Sequence, residues 1–151
     1  MYRAAGGAGS GKGRLLMHPF LALLAQRIVY LDGGFGTTLQ AMGLRGGEQP
    51  ESWNLTHPDA VKSIHLGYLR AGADMATANT FGANPLHFPD TWETVLRAGV
   101  RLAREAVAET GHGWVALDAG SVGKLLQPLG ELAFEDAVSL YRQMALAGID
   151  A

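Results

Sequence analysis

An α/β fold of parallel strands and crossover helices is predicted by three observations in this sequence. Three short apolar runs recur along the chain: Ile28 to Leu31, Asp74 to Ala78 and Trp114 to Leu117. Each opens into a polar, glycine-containing loop: Asp32-Gly33-Gly34-Phe35-Gly36, Asn79-Thr80-Phe81-Gly82-Ala83-Asn84, and Asp118-Ala119-Gly120-Ser121-Val122-Gly123. Helical segments separate the runs, at roughly thirty to forty-five residues per unit, the signature of βαβ units with right-handed crossovers. A doubly wound sheet would place a dinucleotide fingerprint at the first turn, but Gly33-Gly34-Phe35-Gly36 lacks that spacing and no acid marks the second strand's end. A (β/α)8 TIM-type barrel gathers site residues at the C-terminal ends of several strands, which matches all three runs. Such a barrel takes about 250 residues. The expectation is therefore the first three βα units of an incomplete barrel, with an exposed sheet edge and an open core face.

Taken in order, residues 1–16 form an expected Gly-rich flexible leader. Gly6 to Gly13 matches most of a phosphate-binding P-loop, but Gly13 stands where the magnesium-binding hydroxyl belongs and no strand precedes it. A secretory signal is disfavoured, because His18 and Pro19 interrupt the apolar stretch and no small-residue cleavage site follows. A short helix from Pro19 to Gln26, with Pro19 in its first turn, leads into the first strand. Thr37 to Met42 reads as a helical turn closed by Gly43, and Leu44 to Asn54 as a loop. Thr56 is the expected cap of a helix from His57 to Arg70, since Asp59 three residues on favours the positive end of the helix dipole. Val61, Ile64, Leu66, Tyr68 and Leu69 follow a helical period there, and Ala71-Gly72 stops it.

The second strand, Asp74 to Ala78, is rich in small residues. Asn84 to Asp90 carries two prolines and reads as loop, after which Asp90 or Thr91 caps a helix through Ala108. Its apolar side holds Val95, Leu96, Val100, Leu102, Ala103 and Val107. The third strand follows, then a loop with Pro128 and Gly130, then a helix from Ala133 to Ala147 ending at Gly148. Ile149-Asp150-Ala151 resembles the Gly72-Ala73-Asp74 segment that introduces the second strand, so a fourth strand is expected where the chain stops.

Composition narrows the function classes. A net charge of −2 with twelve scattered basic residues leaves no electrostatic footprint for nucleic acid. The apolar runs are too short and too interrupted for a membrane span, and a cytoplasmic protein is expected. The absence of cysteine excludes disulfides and thiolate metal ligands within the chain. His57 and His65 share a helix at i and i+8, too far apart to chelate from one turn, so no metal site is read here.

Several ordered segments together resemble the homocysteine S-methyltransferases, the family that includes the homocysteine-binding module of methionine synthase and betaine-homocysteine methyltransferase. They are Leu31-Asp32-Gly33-Gly34-Phe35-Gly36-Thr37, Pro50-Glu51-Ser52-Trp53-Asn54, His57-Pro58, Ala71-Gly72-Ala73-Asp74, Asn79-Thr80-Phe81 and Gly120-Ser121-Val122-Gly123. The resemblance implies a zinc-dependent barrel that transfers a methyl group to the homocysteine thiol, giving methionine, with residues 17–151 as its N-terminal part. In that family zinc binds the thiol as thiolate, a soft nucleophile at neutral pH. The family's zinc is held by three cysteines from later strands, and a second substrate-binding carboxylate also lies later. This chain holds neither, so it is expected not to catalyse alone. The methyl source stays open among betaine, S-methylmethionine and a methylated folate through cobalamin. The alternative is a non-enzymatic half-barrel that self-associates through its open edge, as a homo-oligomer, or binds an amino acid.

By resemblance, Asp32 accepts a hydrogen bond from the substrate amino group; the competing reading is a cap for adjacent loop amides. Gly33, Gly34 and Gly36, with Phe35 between them, fit a loop whose amides approach the substrate carboxylate, although a tight turn alone would also explain them. Thr77, Asn79 and Phe81 fall at the second strand's end as pocket-lining candidates, with core packing an equal alternative for Thr77 and Phe81. Ser121 is a further candidate to face the site. Asp118 is placed like a catalytic acid, yet the family carries an apolar residue there, which favours a local structural role. Asp74 sits at a strand's beginning, the face of a barrel tied to stability, and is excluded from the site.

Overall fold

The computed structural model describes residues 19–151. The leader and the Gly6–Gly13 motif lie outside the described residues. The elements are α1 (Pro19–Leu24), α2 (Phe35–Ala41), a 3-10 turn (Pro50–Ser52), α3 (Trp53–Thr56), α4 (Pro58–Arg70), β1 (Met75–Thr77), α5 (Trp92–Thr110), β2 (Trp114–Ala116) and α6 (Phe134–Ile149). β1 and β2 pair in parallel, with Met75, Ala76 and Thr77 opposite Trp114, Val115 and Ala116. The result is a mixed α/β chain around a small parallel sheet.

The expected first strand is reduced to one parallel bridge between Leu31 and Met75. The Asp74 N–H donates to the Tyr30 carbonyl at 2.8 Å and the Asp32 N–H to the Met75 carbonyl at 3.1 Å. Ile28 and Leu31, expected to be buried, are 73% and 63% exposed. The reason is that this segment pairs on one side only among the described residues, and an extended run without a second neighbour or a covering helix gains too little burial to be held as a ladder. Its direction and place beside β1 are nevertheless those of a strand. Arg27 fixes its start by donating from Nη1 to Asp74 Oδ2 at 2.7 Å. That guanidinium, with the Tyr30 N–H, holds the Asp74 carboxyl well below the usual carboxylate range.

The helices carry the core. Leu69 of α4, Ala76 and Ala78 at β1, Val95, Leu96, Val100, Ala103 and Ala106 of α5, and Met144 and Ala147 of α6 form one buried cluster. A second joins Leu39 of α2, Leu44, Trp53 of α3, Val61 and Ile64 of α4, and Leu102 of α5. α5 thus serves both clusters, with its residues spaced to bury one continuous stripe. Gly99 on that stripe lets α5 approach the sheet's end: a Cβ there would lie 2.7 Å from Asn54 Nδ2 and 2.9 Å from the Asn79 carbonyl oxygen.

Local chemistry corrects several boundaries. Thr56 is not the cap of α4; it is the last residue of α3, its hydroxyl donates to the Ser52 carbonyl at 3.2 Å, and His57 occupies the N-cap position. The expected loop Leu44 to Asn54 contains the 3-10 turn and the start of α3, nucleated by Pro50 at a first helical position. α2 begins two residues earlier than expected, with Gly34 as its N-cap and its carbonyl accepting from the Thr38 hydroxyl at 2.8 Å. α6 runs through Gly148 to Ile149. Gly148 lies within the helix, and a Cβ there would lie 2.7 Å from the Leu117 side chain, so the glycine marks a close contact with the segment after β2 and not a stop.

Candidate functional site

The C-terminal ends of the three parallel segments meet at one edge, and there lies a cavity of about 420 Å³. Its wall includes Asp32, Gly33, Phe35 and Gly36 from the first loop, Thr77, Asn79 and Phe81 from the second, and Asp118 from the third. Pro50 and Glu51 complete it from the 3-10 turn, with Leu31, Ala78 and Thr80. Seven of the residues proposed for the site from sequence therefore share one wall: Asp32, Gly33, Phe35, Gly36, Thr77, Asn79 and Phe81.

Asp32 is positioned by β1. Thr77 donates its backbone N–H to Oδ2 at 2.7 Å and its hydroxyl to Oδ1 at 2.6 Å. Each oxygen keeps a further lone pair for a ligand donor. Along β1 only Ala76 is buried, against the helices, while Met75 and Thr77 share the opposite side, as the two-residue period of a strand requires. Thr77 thus combines a pocket position with direct support of Asp32. Gly33 is set by packing: a Cβ would lie 2.9 Å from the Tyr68 ring.

The second loop is held by a buried amide frame. Asn79 donates to the Pro50 carbonyl and to Asn54 Oδ1, both at 2.9 Å, and Asn54 donates to the Asn79 carbonyl at 2.8 Å and to that of Val95 at 3.1 Å. This frame fixes the 3-10 turn against the end of β1. Glu51, 3% exposed, accepts from the Gly82 N–H through Oε1 at 2.6 Å. Phe81, 56% exposed, lies against Gly120, where a Cβ would come 2.4 Å from its ring. Thr80 donates its hydroxyl to the Asp118 carbonyl at 2.8 Å, which brings the third loop to the cavity.

Asp118 stands in the wall as well as in that backbone contact. Burial, reinforced by the Asp32 charge, raises its carboxyl above the usual range. Among the described residues, Asp32, Glu51 and Asp118 give the wall three carboxyl groups, and no lysine, arginine or histidine lines it. Such a wall favours a cationic group on a ligand.

Gly34 and Ser121 do not line the cavity. Gly34 caps α2, and Ser121 turns outward, where its hydroxyl oxygen accepts from the Gly123 N–H at 3.1 Å. Glu51, Thr80 and Asp118 are wall residues that sequence reasoning did not assign to the site. The signal for Glu51 was available in Pro50-Glu51-Ser52-Trp53-Asn54, which the family resemblance singled out as a motif.

The donor set does not fit a structural or catalytic zinc ion. The chain has no cysteine, and no group of three His, Cys, Asp or Glu side chains is arranged to hold a metal among the described residues. No helix of the described residues is long and apolar enough to cross a membrane.

Comparison with known proteins places these features. Residues 29–151 match the family model described as homocysteine S-methyltransferase. The chain is 33% identical over 144 residues to methionine synthase of Mycobacterium tuberculosis, covering 86% of this chain and 12% of that protein. It is 38% identical over 90 residues to an S-methylmethionine–homocysteine S-methyltransferase of Pongo abelii, covering 59% of this chain and 24% of that one. The metallated form of the homocysteine methyltransferase MmuM from Escherichia coli aligns with a TM-score of 0.75 at 26% identity. That alignment covers 88% of this chain and 54% of MmuM, so the chain spans about half the length of that structure and less of the curated relatives.

Proposed function

The chain belongs to the homocysteine S-methyltransferase family, and we propose that its cavity binds the amino-acid end of homocysteine for methyl transfer to the thiol, giving methionine. In that reaction a sulfur–carbon bond forms, the donor's bond to the methyl group breaks, and the thiol proton is released. We read residues 17–151 as the first three βα units of a barrel, with residues 1–16 as a leader. The order of the parallel segments, the bridge at Leu31, then β1, then β2, supports that reading.

One observation carries it: Asp32, at the end of the first segment, is oriented into the cavity wall by two hydrogen bonds from Thr77. A carboxylate held at both oxygens presents its remaining lone pairs in fixed directions, which suits an ammonium group. Gly33 and Gly36 are proposed to offer backbone N–H groups to the substrate carboxylate, while Thr77, Asn79 and Phe81 shape the wall. Phe35 closes it from the first loop.

The sulfur end needs a group that stabilises thiolate, and the cavity-wall side chains of the described residues do not supply one. In the wider family zinc would do so. The methyl donor is read from no residue here. The Pongo abelii relative is an S-methylmethionine–homocysteine S-methyltransferase, and a folate or cobalamin source is equally compatible with this part of the site.

Calorimetric titration with L-homocysteine tests the proposal. Saturable binding by the wild-type protein that is lost in Asp32→Ala supports it; equal binding by both, or by neither, sinks it.

A second reading is favoured by the exposed apolar residues at Ile28, Tyr30 and Leu31 and at Phe134, Leu129 and Ile149. Under it the chain is a non-enzymatic half-barrel that associates with itself. Sedimentation velocity separates the two, because a concentration-dependent oligomer without homocysteine affinity fits only the second.

A further inference from the structure

Glu51 is a carboxylate of the cavity wall with no part in the proposed binding of homocysteine. It is 3% exposed. Oε1 accepts from the Gly82 N–H, but Oε2 is buried with no hydrogen-bond partner among the described residues. A buried carboxylate with one oxygen lacking a donor retains much of its desolvation cost. A strut for the Asn79–Asn84 loop alone would not need it, because a neutral amide oxygen would accept the Gly82 N–H equally well. Gly82 itself is matched to the group: a Cβ there would lie 3.1 to 3.2 Å from the Glu51 carboxylate.

The setting gives the second oxygen a use. Glu51 shares its wall with Asp32 and Asp118, and no basic side chain of the described residues lines the cavity. Water is excluded from Oε2, so the charge is poorly screened and acts across the cavity more strongly than an exposed carboxylate would. It need not touch the ligand to favour a cation.

We propose that Glu51 is a specificity-determining residue: the charge on its buried carboxylate selects ligands that carry an ammonium group over otherwise similar ligands that lack one. This rests on reading the cavity as an amino-acid site. Asp32 supplies the directed hydrogen bond, Glu51 supplies field, and the same field disfavours an anion without a compensating ammonium.

The test is calorimetric titration of the wild-type protein and of Glu51→Gln with three thiols. These are L-homocysteine, 4-sulfanylbutanoate, which lacks the amino group, and 3-aminopropane-1-thiol, which lacks the carboxylate. The glutamine keeps an acceptor for the Gly82 N–H, and circular dichroism checks its fold. The expected result is that Glu51→Gln weakens L-homocysteine about tenfold while leaving 4-sulfanylbutanoate unchanged or tighter. Equal weakening of both would show a strut and overturn the proposal, as would an unchanged ratio. The wild-type protein should also bind 3-aminopropane-1-thiol more tightly than 4-sulfanylbutanoate, and the reverse order overturns the proposal. L-homocysteine binding with an unaltered ratio removes the role of Glu51 alone. A wild-type protein that binds none of the three removes the amino-acid reading and the role of Glu51 with it.

Discussion

Both carboxylate oxygens of Asp32 are engaged by one residue, Thr77, forty-five positions later in the chain, through its backbone N–H at 2.7 Å and its hydroxyl at 2.6 Å. Thr77→Val keeps the β-branched shape and the N–H bond but removes the hydroxyl donor. A hydrogen bond to a charged group contributes about 1.5–3 kcal/mol, so the variant should lose about 2 kcal/mol of stability in urea unfolding. L-homocysteine binding should weaken several-fold, because Asp32 is then held at one oxygen only. Unchanged unfolding and unchanged affinity would show that the pair does not position the carboxylate.

His65 makes the fold sensitive to acid. It is fully buried in α4, packs against Phe35 with ring centroids 4.8 Å apart, and neither ring nitrogen has a hydrogen-bond partner among the described residues. Burial lowers its pKa from 6.5 to about 4, with the Asp32 charge opposing the shift. The unfolded imidazole therefore takes up a proton at a higher pH than the folded one. Its contribution is whole above about pH 6.5 and is lost as pH falls towards 4. The full loss is about 3 kcal/mol, of which about 2 kcal/mol has gone by pH 5. Urea midpoints at pH 7 and pH 5 should separate in the wild-type protein and converge in His65→Leu; equal separation in both would rule His65 out as the cause.

Gly99→Ala sets two effects against each other. Alanine in a helix interior gains about 1 kcal/mol over glycine by propensity. Here, however, the added Cβ would sit 2.7 Å from Asn54 Nδ2 and 2.9 Å from both the Asn79 carbonyl oxygen and Thr80 Cγ2. Overpacking costs about 1–3 kcal/mol in a core that can yield, and this one is tied by hydrogen bonds, so sterics should win. The expected outcome is a lower thermal midpoint and weaker ligand binding. A raised midpoint would mean that the Asn54–Asn79 frame is softer than its geometry implies.

Gly120→Ala is a local counterpart. The Cβ would come 2.4 Å from the Phe81 ring, and Phe81 is a half-exposed residue on the cavity's rim that can swing outward. Stability should change by no more than about 1 kcal/mol, whereas L-homocysteine affinity should fall because the ring leaves the wall. If affinity is retained, Phe81 is not part of the binding surface.

Much of this arrangement was legible without coordinates. Apolar runs ending in Asp32, Asn79 and Asp118 announce where three parallel segments, two of them strands, give way to polar loops. The periodic stripes of α4 and α5 announced helices of nearly the observed length, since a 3.6-residue repeat has few other uses. The class of fold and seven wall residues follow from those signals together with the family motifs.

What remained hidden depends on partners distant in sequence. Nothing near Glu51 shows that its oxygen meets the Gly82 N–H, and nothing near Asn54 shows that it bridges Asn79 and Val95. Ser121 and Gly34 carried the right residue types, but a loop's direction is set by what it packs on. The first apolar run had a strand's composition, yet only tertiary pairing decides whether a strand has neighbours on both sides, and Ile28 to Leu31 has one. Sequence by itself determined where polar groups leave the sheet. Tertiary structure alone decided which of them face one another, because hydrogen-bond geometry and burial belong to the assembled chain and not to any segment of it.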